Sequence, residues 1–299
     1  MSANKLKTSE KLITRGIQIS GYSTILFVLM ILYFLIAQGL PALTEVPLKD
    51  LFSTRWYPIE EYYGILPLIL GSLVVTVGAS LVAVPLGVLT AIYIAEIAPH
   101  WAKEILKPLV ELLAGLPSVV LGFLGILVLS PFLRDALHLP TGLTALTGSL
   151  LLGMIAVPTI VSISEDALNN VPETYRTGSL ALGVTRWQTI WGVTVPAARS
   201  GILTAIMLGV GRTIGETMTV MMVTGNAPVM PESLRVIFMP IRTMTATIAS
   251  EMGEVASGSS HYHVLFFIAV VLFLFTMIVN IVASKISSRH MKRSERILS

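Results

Sequence analysis

Six apolar runs divide this chain, at about residues 17–40, 65–98, 108–133, 143–163, 197–224 and 264–283. Each is close to or above the ~18–20 apolar residues that cross a bilayer as a helix. The pattern predicts an all-α polytopic membrane protein with six transmembrane helices. A single membrane domain fills 17–284, between a polar tail at 1–16 and a basic tail at 285–299. The first run is too long for a signal h-region and lacks a small-residue cleavage pattern, so it reads as a retained helix. Two ridges of small residues recur at every fourth position: Ala79, Ala83, Gly87, Ala91 and Ala95, then Gly201, Ala205, Gly209, Thr213 and Thr217. Such ridges let neighbouring helices approach closely. Pro85 predicts a kink in the second run. Gly115-Leu116-Pro117 predicts a bend in the third, with Glu111 in its first turn. The polar segment 41–63 carries Trp56, Tyr57, Tyr62 and Tyr63, residues that suit an interfacial belt. The segment 225–263 holds a short helix around 242–251.

Charge then orients the spans. Only 12% of residues are charged, about half the share of a soluble domain. Six spans place both termini on one side. That side carries Lys5, Lys7, Lys11, Arg15, Lys103, Lys107, Arg176, Arg186, Arg199, Lys285, Arg289, Lys292, Arg293 and Arg296. The other side carries Lys49, Arg55, Arg134, Arg235 and Arg242. The excess predicts cytoplasmic termini and an external location for 41–63 and 225–263. The pI near 9.2 is accounted for by this topology and does not call for nucleic acid. With no cysteine, no disulfide or cysteine-ligated metal is possible.

The longest polar stretch on the cytoplasmic side, 165–196, reads as helix, turn, helix. Ser164-Glu165-Asp166 reads as its cap, and Gly183 suits a left-handed helix end. Leu180, Leu182, Trp187, Ile190 and Trp191 give it apolar surface. Composition alone leaves two readings open: a docking element for another protein, or an amphipathic connector lying on the bilayer.

The remaining basic residue, Arg212, lies inside a span, with Glu216 four residues on. A charge near the bilayer centre costs about 2.5–3.5 kcal/mol on insertion scales, so such residues face a pathway or a partner. Counted from Pro196 at ~1.5 Å per residue, Arg212 lies about 24 Å along the helix. Helical spacing puts the pair on one face. Again two readings stand: an ion pair that fastens helices, or a guanidinium that helps an oxyanion cross while Glu216 holds it and tempers its grip. Ser118, Thr213 and Thr217 are candidate hydroxyl donors, with packing the favoured reading for them. His261-x-His263 reads as an interfacial pair rather than a metal site.

The stretch Thr177-Gly178-Ser179-Leu180-Ala181-Leu182-Gly183, with Arg186 and Val193-Thr194-Val195-Pro196 after it, resembles the cytoplasmic loop of ABC importer permeases. That family's pattern is Glu-Ala-Ala, three residues, Gly, nine residues, Ile-x-Leu-Pro. Thr177 stands where the pattern has glutamate, so any ion pair made by that glutamate is not implied here. The runs Glu111–Phe123, Leu180–Trp187 and Gly211–Met218 are similar to the C-type permease of phosphate importers of the Pst type. The resemblance implies a type I ABC importer permease fold in the inner membrane. It also implies an A-type partner permease, a homodimeric ATP-binding subunit and an extracytoplasmic phosphate-binding protein. It makes Thr177–Gly183, Arg186 and Pro196 the ATPase-coupling residues. It further implies a non-catalytic subunit without cofactor or metal, which agrees with the absence of a G-x-x-x-x-G-K-[ST] phosphate loop. A sulfate or molybdate permease, and an ATP-independent transporter or channel, remain the alternatives. The segment 225–263, with Arg235, Arg242, Glu251 and Glu254, is the expected landing site for the binding protein.

Overall fold

The computed structural model describes residues 3–298, with side chains described for 13–281 and Lys285. The basic side chains Lys5, Lys7, Lys11 and 289–296 lie outside those described. Six helices are long and apolar enough to cross a membrane. The first helix, α1 (Ala3–Gly39), begins within the predicted polar tail. Two single helical turns follow, then a hairpin of β1 (Trp56–Tyr57) and β2 (Tyr62–Tyr63), with Trp56 opposite Tyr63. Next come α2 (Leu66–Ile97), α3 (His100–Ala114), α4 (Ser118–Ala136), α5 (Ala145–Asn169), α6 (Glu173–Ala181), α7 (Arg186–Gly215), α8 (Met218–Val223), α9 (Met244–Glu251) and α10 (Ser260–Leu298).

Helix α5 is the most buried span, and α2 and α7 pack against it through the predicted ridges, except that Thr217 lies past the end of α7 and is not part of the second. Ile160 of α5 is fully buried. A Cβ added at Gly87 would lie 2.7 Å from its Cγ2, and one at Gly209 would lie 2.5 Å from its Cγ1. One isoleucine therefore wedges between two glycines on two helices, the close approach that small residues permit in lipid. Gly209→Val forces α7 off α5. The expected result is a loss of assembled protein, read as a fall in detergent-solubilised yield of severalfold; unchanged yield and melting temperature would count against this packing.

Several boundaries differ from the sequence reading. The third run is two helices: α3, then α4 after a break at Gly115–Pro117, and only α4 is a candidate span. Glu111 sits in the last turn of α3, not in a first turn. Ser164-Glu165-Asp166 is no cap, because α5 runs through it to Asn169. The fifth run also breaks, at Glu216–Thr217, and α7 begins at Arg186 rather than near residue 197. Helix α2 continues unbroken through Pro85. Proline acts elsewhere: the π-turns Gly125–Leu129 and Ile190–Thr194 each end two residues before a proline, Pro131 and Pro196. The wide turn accommodates the lost N–H and the ring's clash with the carbonyl four residues back.

One end of the bundle is closed by a cap built from the 41–63 segment, α9 and the start of α10. Trp56 and Tyr63 are buried there, so half of the expected aromatic belt faces inward, while Tyr57 and Tyr62 stay exposed. Glu251 is the centre of the cap. It pairs with Arg242 at 2.6 Å and His261 at 2.8 Å, and accepts from Trp56 Nε1 at 3.2 Å. His263 pairs with Glu45 at 2.8 Å. The two histidines thus hold carboxylates, and no cluster of three metal-binding groups occurs among the described residues. Burial pushes the Glu251 carboxyl up, but the His261 hydrogen bond and the Arg242 charge outweigh it and hold its pKa below the ordinary 4.5. A lowered folded pKa stabilises above the unfolded value and is lost as pH falls through the folded one. The cap is therefore expected to hold at neutral pH and loosen only below about 4.5. Glu251→Ala leaves a largely buried Arg242 without its carboxylate, though still bonded to Ser250, at a cost on the order of 2 kcal/mol, less than for a fully buried pair. Limited proteolysis of 41–63 and 242–263 should show both effects; equal protease resistance in the variant would refute the cap.

Candidate functional site

The elbow at the other end of the bundle consists of α6, a turn and the start of α7. Gly183 ends α6 at φ +80, a left-handed conformation that a side chain would strain. Thr185 then starts α7 with a capping box: its side chain accepts from the Gln188 N–H and Gln188 Oε1 accepts from the Thr185 N–H. Ser179 and Thr189 share a 3.0 Å hydrogen bond that holds the two arms together. Leu182 is 85% exposed, Trp187 59% and Leu180 43%, so the elbow tip presents apolar surface that no described residue covers. Thr177, Gly178, Ala181, Arg186 and Pro196 are exposed as well, while Ser179 and Ile190 face inward. Ile190 was expected on the exposed face and instead joins the core beneath the elbow.

Two cations, Arg176 and Lys107, tie the elbow region to the spans. Arg176 of α6 pairs with Glu96, at the end of α2, at 2.7 Å, and donates to the Leu168 and Val171 carbonyls at the end of α5, each at 2.7 Å. Lys107 of α3 pairs with the buried Glu165 at 2.9 Å, which raises the Lys107 pKa above its ordinary value. Sequence reasoning missed these partners. The available signal was a carboxylate near the end of each of two apolar runs, Glu96 and Glu165, which demands a cation nearby.

Inside the membrane region, α7 carries the elbow directly to Arg212. The Arg212 side chain is exposed and makes no hydrogen bond or ion pair with any described residue. A Cβ at either Gly211 or Gly215 would meet nothing within 4 Å, so this face of α7 is open. The expected Arg212–Glu216 pair is not formed. Glu216 lies past the helix end in an extended conformation (φ −69, ψ 125), which removes the one-turn spacing the pairing needs. Instead Glu216 Oε1 lies 3.4 Å from both the Thr219 N and Thr219 Oγ1. Thr219 Oγ1 donates to the Ser118 carbonyl at 3.0 Å, and Thr245 Oγ1 donates to the Glu216 carbonyl at 3.2 Å. The structure thus gathers Ser118, Glu216 and Thr219 at the two helix breaks. Thr213 is buried and bonds back to the Val210 carbonyl, as a packing residue does, and Thr217 bonds to the Gly215 carbonyl. Thr219 and Thr245 carried no sequence signal, since an unbroken helix would have aimed both Glu216 and Thr219 elsewhere.

Residues 83–293 match the family of binding-protein-dependent transport system inner membrane components. This chain belongs to that family. It is 43% identical over 245 residues to a probable ABC transporter permease protein, YqgH, of Bacillus subtilis, covering 80% of this chain and 78% of that protein. It is 34% identical over 268 residues to the phosphate transport system permease protein PstC of Mesorhizobium japonicum, covering 83% and 81%. Among solved structures, a chain of a bacterial alginate ABC transporter superposes with a TM-score of 0.65 at 16% identity, over 93% of this chain and 96% of that one. A chain of the MetNI methionine ABC transporter superposes at 0.56 and 19% identity, over 76% and 94%. The fold is that of a type I ABC importer permease, a multi-pass membrane protein. The family likeness turns the open elbow tip and the open face around Arg212 from curiosities into candidate contact surfaces for this permease.

Proposed function

We propose that this chain is one of two permease subunits of an ATP-driven phosphate importer. Its elbow lies in the cytoplasm against a homodimeric ATPase, its cap faces outward to a phosphate-binding protein, and both termini are cytoplasmic. A second, A-type permease covers the open face of α7. The observation that carries this reading is a single continuous helix, α7, with the exposed elbow at one end and, at the other, an exposed arginine that pairs with no described residue. A guanidinium offers planar paired donors that match phosphate oxygens. With no carboxylate bound to it among the described residues, its donors are available to an anion. The excess of Lys and Arg on the elbow side supports the orientation, and relatives named as phosphate permeases support the substrate. Glu251 is committed within the cap, so the landing surface for the binding protein is the exposed remainder of the outer segment, with Leu234 and Met239 on it.

The test is purification of the intact complex, reconstitution, and measurement of ATPase activity and uptake with phosphate and with competing sulfate and molybdate. Phosphate-stimulated hydrolysis with phosphate-selective uptake is the expected result. Sulfate- or molybdate-selective uptake would reassign the substrate. Flux through the isolated chain without ATP would overturn the coupling.

A further inference from the structure

Resting on that reading, we propose that Thr219 is a positioning residue for transport, whose hydroxyl clasps the break in the third membrane segment to the break in the fifth and so sets Glu216 at the pathway. The two interruptions, Gly115–Pro117 and Glu216–Thr217, are about a hundred residues apart in sequence but meet at one atom. Thr219 is fully buried, and its Oγ1 donates to the Ser118 carbonyl at 3.0 Å. Ser118 opens α4, directly after the first break, and Thr219 lies just after the second. Past the clasp, α4 and α8 stay in register. A Cβ at Gly122 would lie 3.3 Å from the Thr219 Cα and 3.5 Å from the Met222 Cβ, and one at Gly125 would lie 2.8 Å from a Val223 methyl. Before the clasp, the chain is open: Cβ atoms at Gly211 and Gly215 would touch nothing, and one at Gly115 would touch only the carbonyls of its own preceding turn.

The hydroxyl has one proton and two neighbours, the Ser118 carbonyl and Glu216 Oε1. Given to Ser118, it closes the clasp and leaves the Thr219 N–H to hold the carboxylate. Both bonds fix Glu216 beyond the end of α7, off the guanidinium of Arg212. Losing the hydroxyl frees Glu216 to swing back toward Arg212 and compete with the transported anion. Broken helices whose freed backbone groups line a cavity are a known way to build a site at membrane depth.

The experiment uses the complete complex in proteoliposomes, with inorganic phosphate as the probe. Thr219→Val, nearly isosteric, is expected to lower uptake tenfold or more while ATPase subunits still co-purify and hydrolyse ATP. Thr219→Ser, which keeps the hydroxyl, is expected to stay within about threefold of wild type. Uptake by Thr219→Val near the wild-type level, or an equal loss in Thr219→Ser, overturns the proposal. Should Thr219→Val assemble poorly, the cysteine-free chain permits a covalent substitute. The 3.5 Å spacing of Cβ atoms at 122 and 222 falls in the disulfide range of about 3.5–4.5 Å. Gly122→Cys with Met222→Cys, oxidised in the Thr219→Val background, is expected to restore assembly and uptake, and reduction to remove them. A bridge that forms without restoring uptake also overturns the clasp. Failure of the wild-type complex to take up phosphate would instead strike the functional reading itself.

Discussion

Arg212→Gln is expected to reduce phosphate uptake by about a hundredfold or more, with the complex still assembled. The size follows from the chemistry. Two charge-assisted hydrogen bonds at about 1.5–3 kcal/mol each are lost from the anion's passage, and each 1.4 kcal/mol is a factor of ten. Assembly survives because Arg212 bonds to nothing else among the described residues, so its removal strands no partner. Arg212→Lys keeps the charge and loses the planar fork, and falls between Gln and wild type. The measurement is labelled-phosphate uptake, with co-purified ATPase as the assembly control. Wild-type uptake in Arg212→Gln would remove the arginine from the pathway. If instead the arginine were a helix fastener, the Gln variant would lose assembly along with uptake.

That test exists because of where sequence reasoning stopped. The six spans, the two small-residue ridges and the elbow's glycine turn were all legible, because each is a local pattern: a run length, a period of four, a residue that tolerates positive φ. Gly201 and Gly209 pack against α5, and Ala205 between them is buried, as their spacing foretold. The break at Glu216 was not legible. Gly-Glu-Thr carries no proline, and an apolar run reads as one helix unless a local residue forbids it. What ends α7 is tertiary: Thr245 from α9 binds the Glu216 carbonyl, and Thr219 turns toward Ser118 from a distant part of the chain. From that one missed break came the mistaken Arg212–Glu216 pair. Gly115-Leu116-Pro117, with its proline, announced its own interruption. Glu165 and Ile190 lie elsewhere for a related reason: polarity suggests where the elbow begins, whereas α5 and α7 extend well into the polar segment, with the end of α5 held by Lys107 and Arg176.

Those anchors carry the second large effect. Arg176→Leu is expected to uncouple the elbow, lowering uptake tenfold to a hundredfold while the ATPase remains attached and active. Arg176 does three things at once: it neutralises Glu96, whose side chain is only 9% exposed, and it donates to the carbonyls of Leu168 and Val171 at the end of α5. Removing the guanidinium strands a buried carboxylate, at a cost of about 3 kcal/mol, and frees the end of α5 from α6. The exposed tip, with Leu182 and Trp187, is untouched, so the proposed contact with an ATPase is expected to persist while its movement no longer reaches α2 and α5 rigidly. Glu96→Gln is the milder change, because Arg176 keeps both carbonyls and can still donate to the amide oxygen. The expected order of uptake is therefore wild type, then Glu96→Gln, then Arg176→Leu, with ATP hydrolysis per complex falling far less than uptake across the series. A parallel fall of hydrolysis and uptake would mean that the anchor serves assembly rather than transmission. Uptake in Arg176→Leu within twofold of wild type would mean that motion enters the membrane through α7 alone, by way of its unbroken path from Arg186 to Arg212.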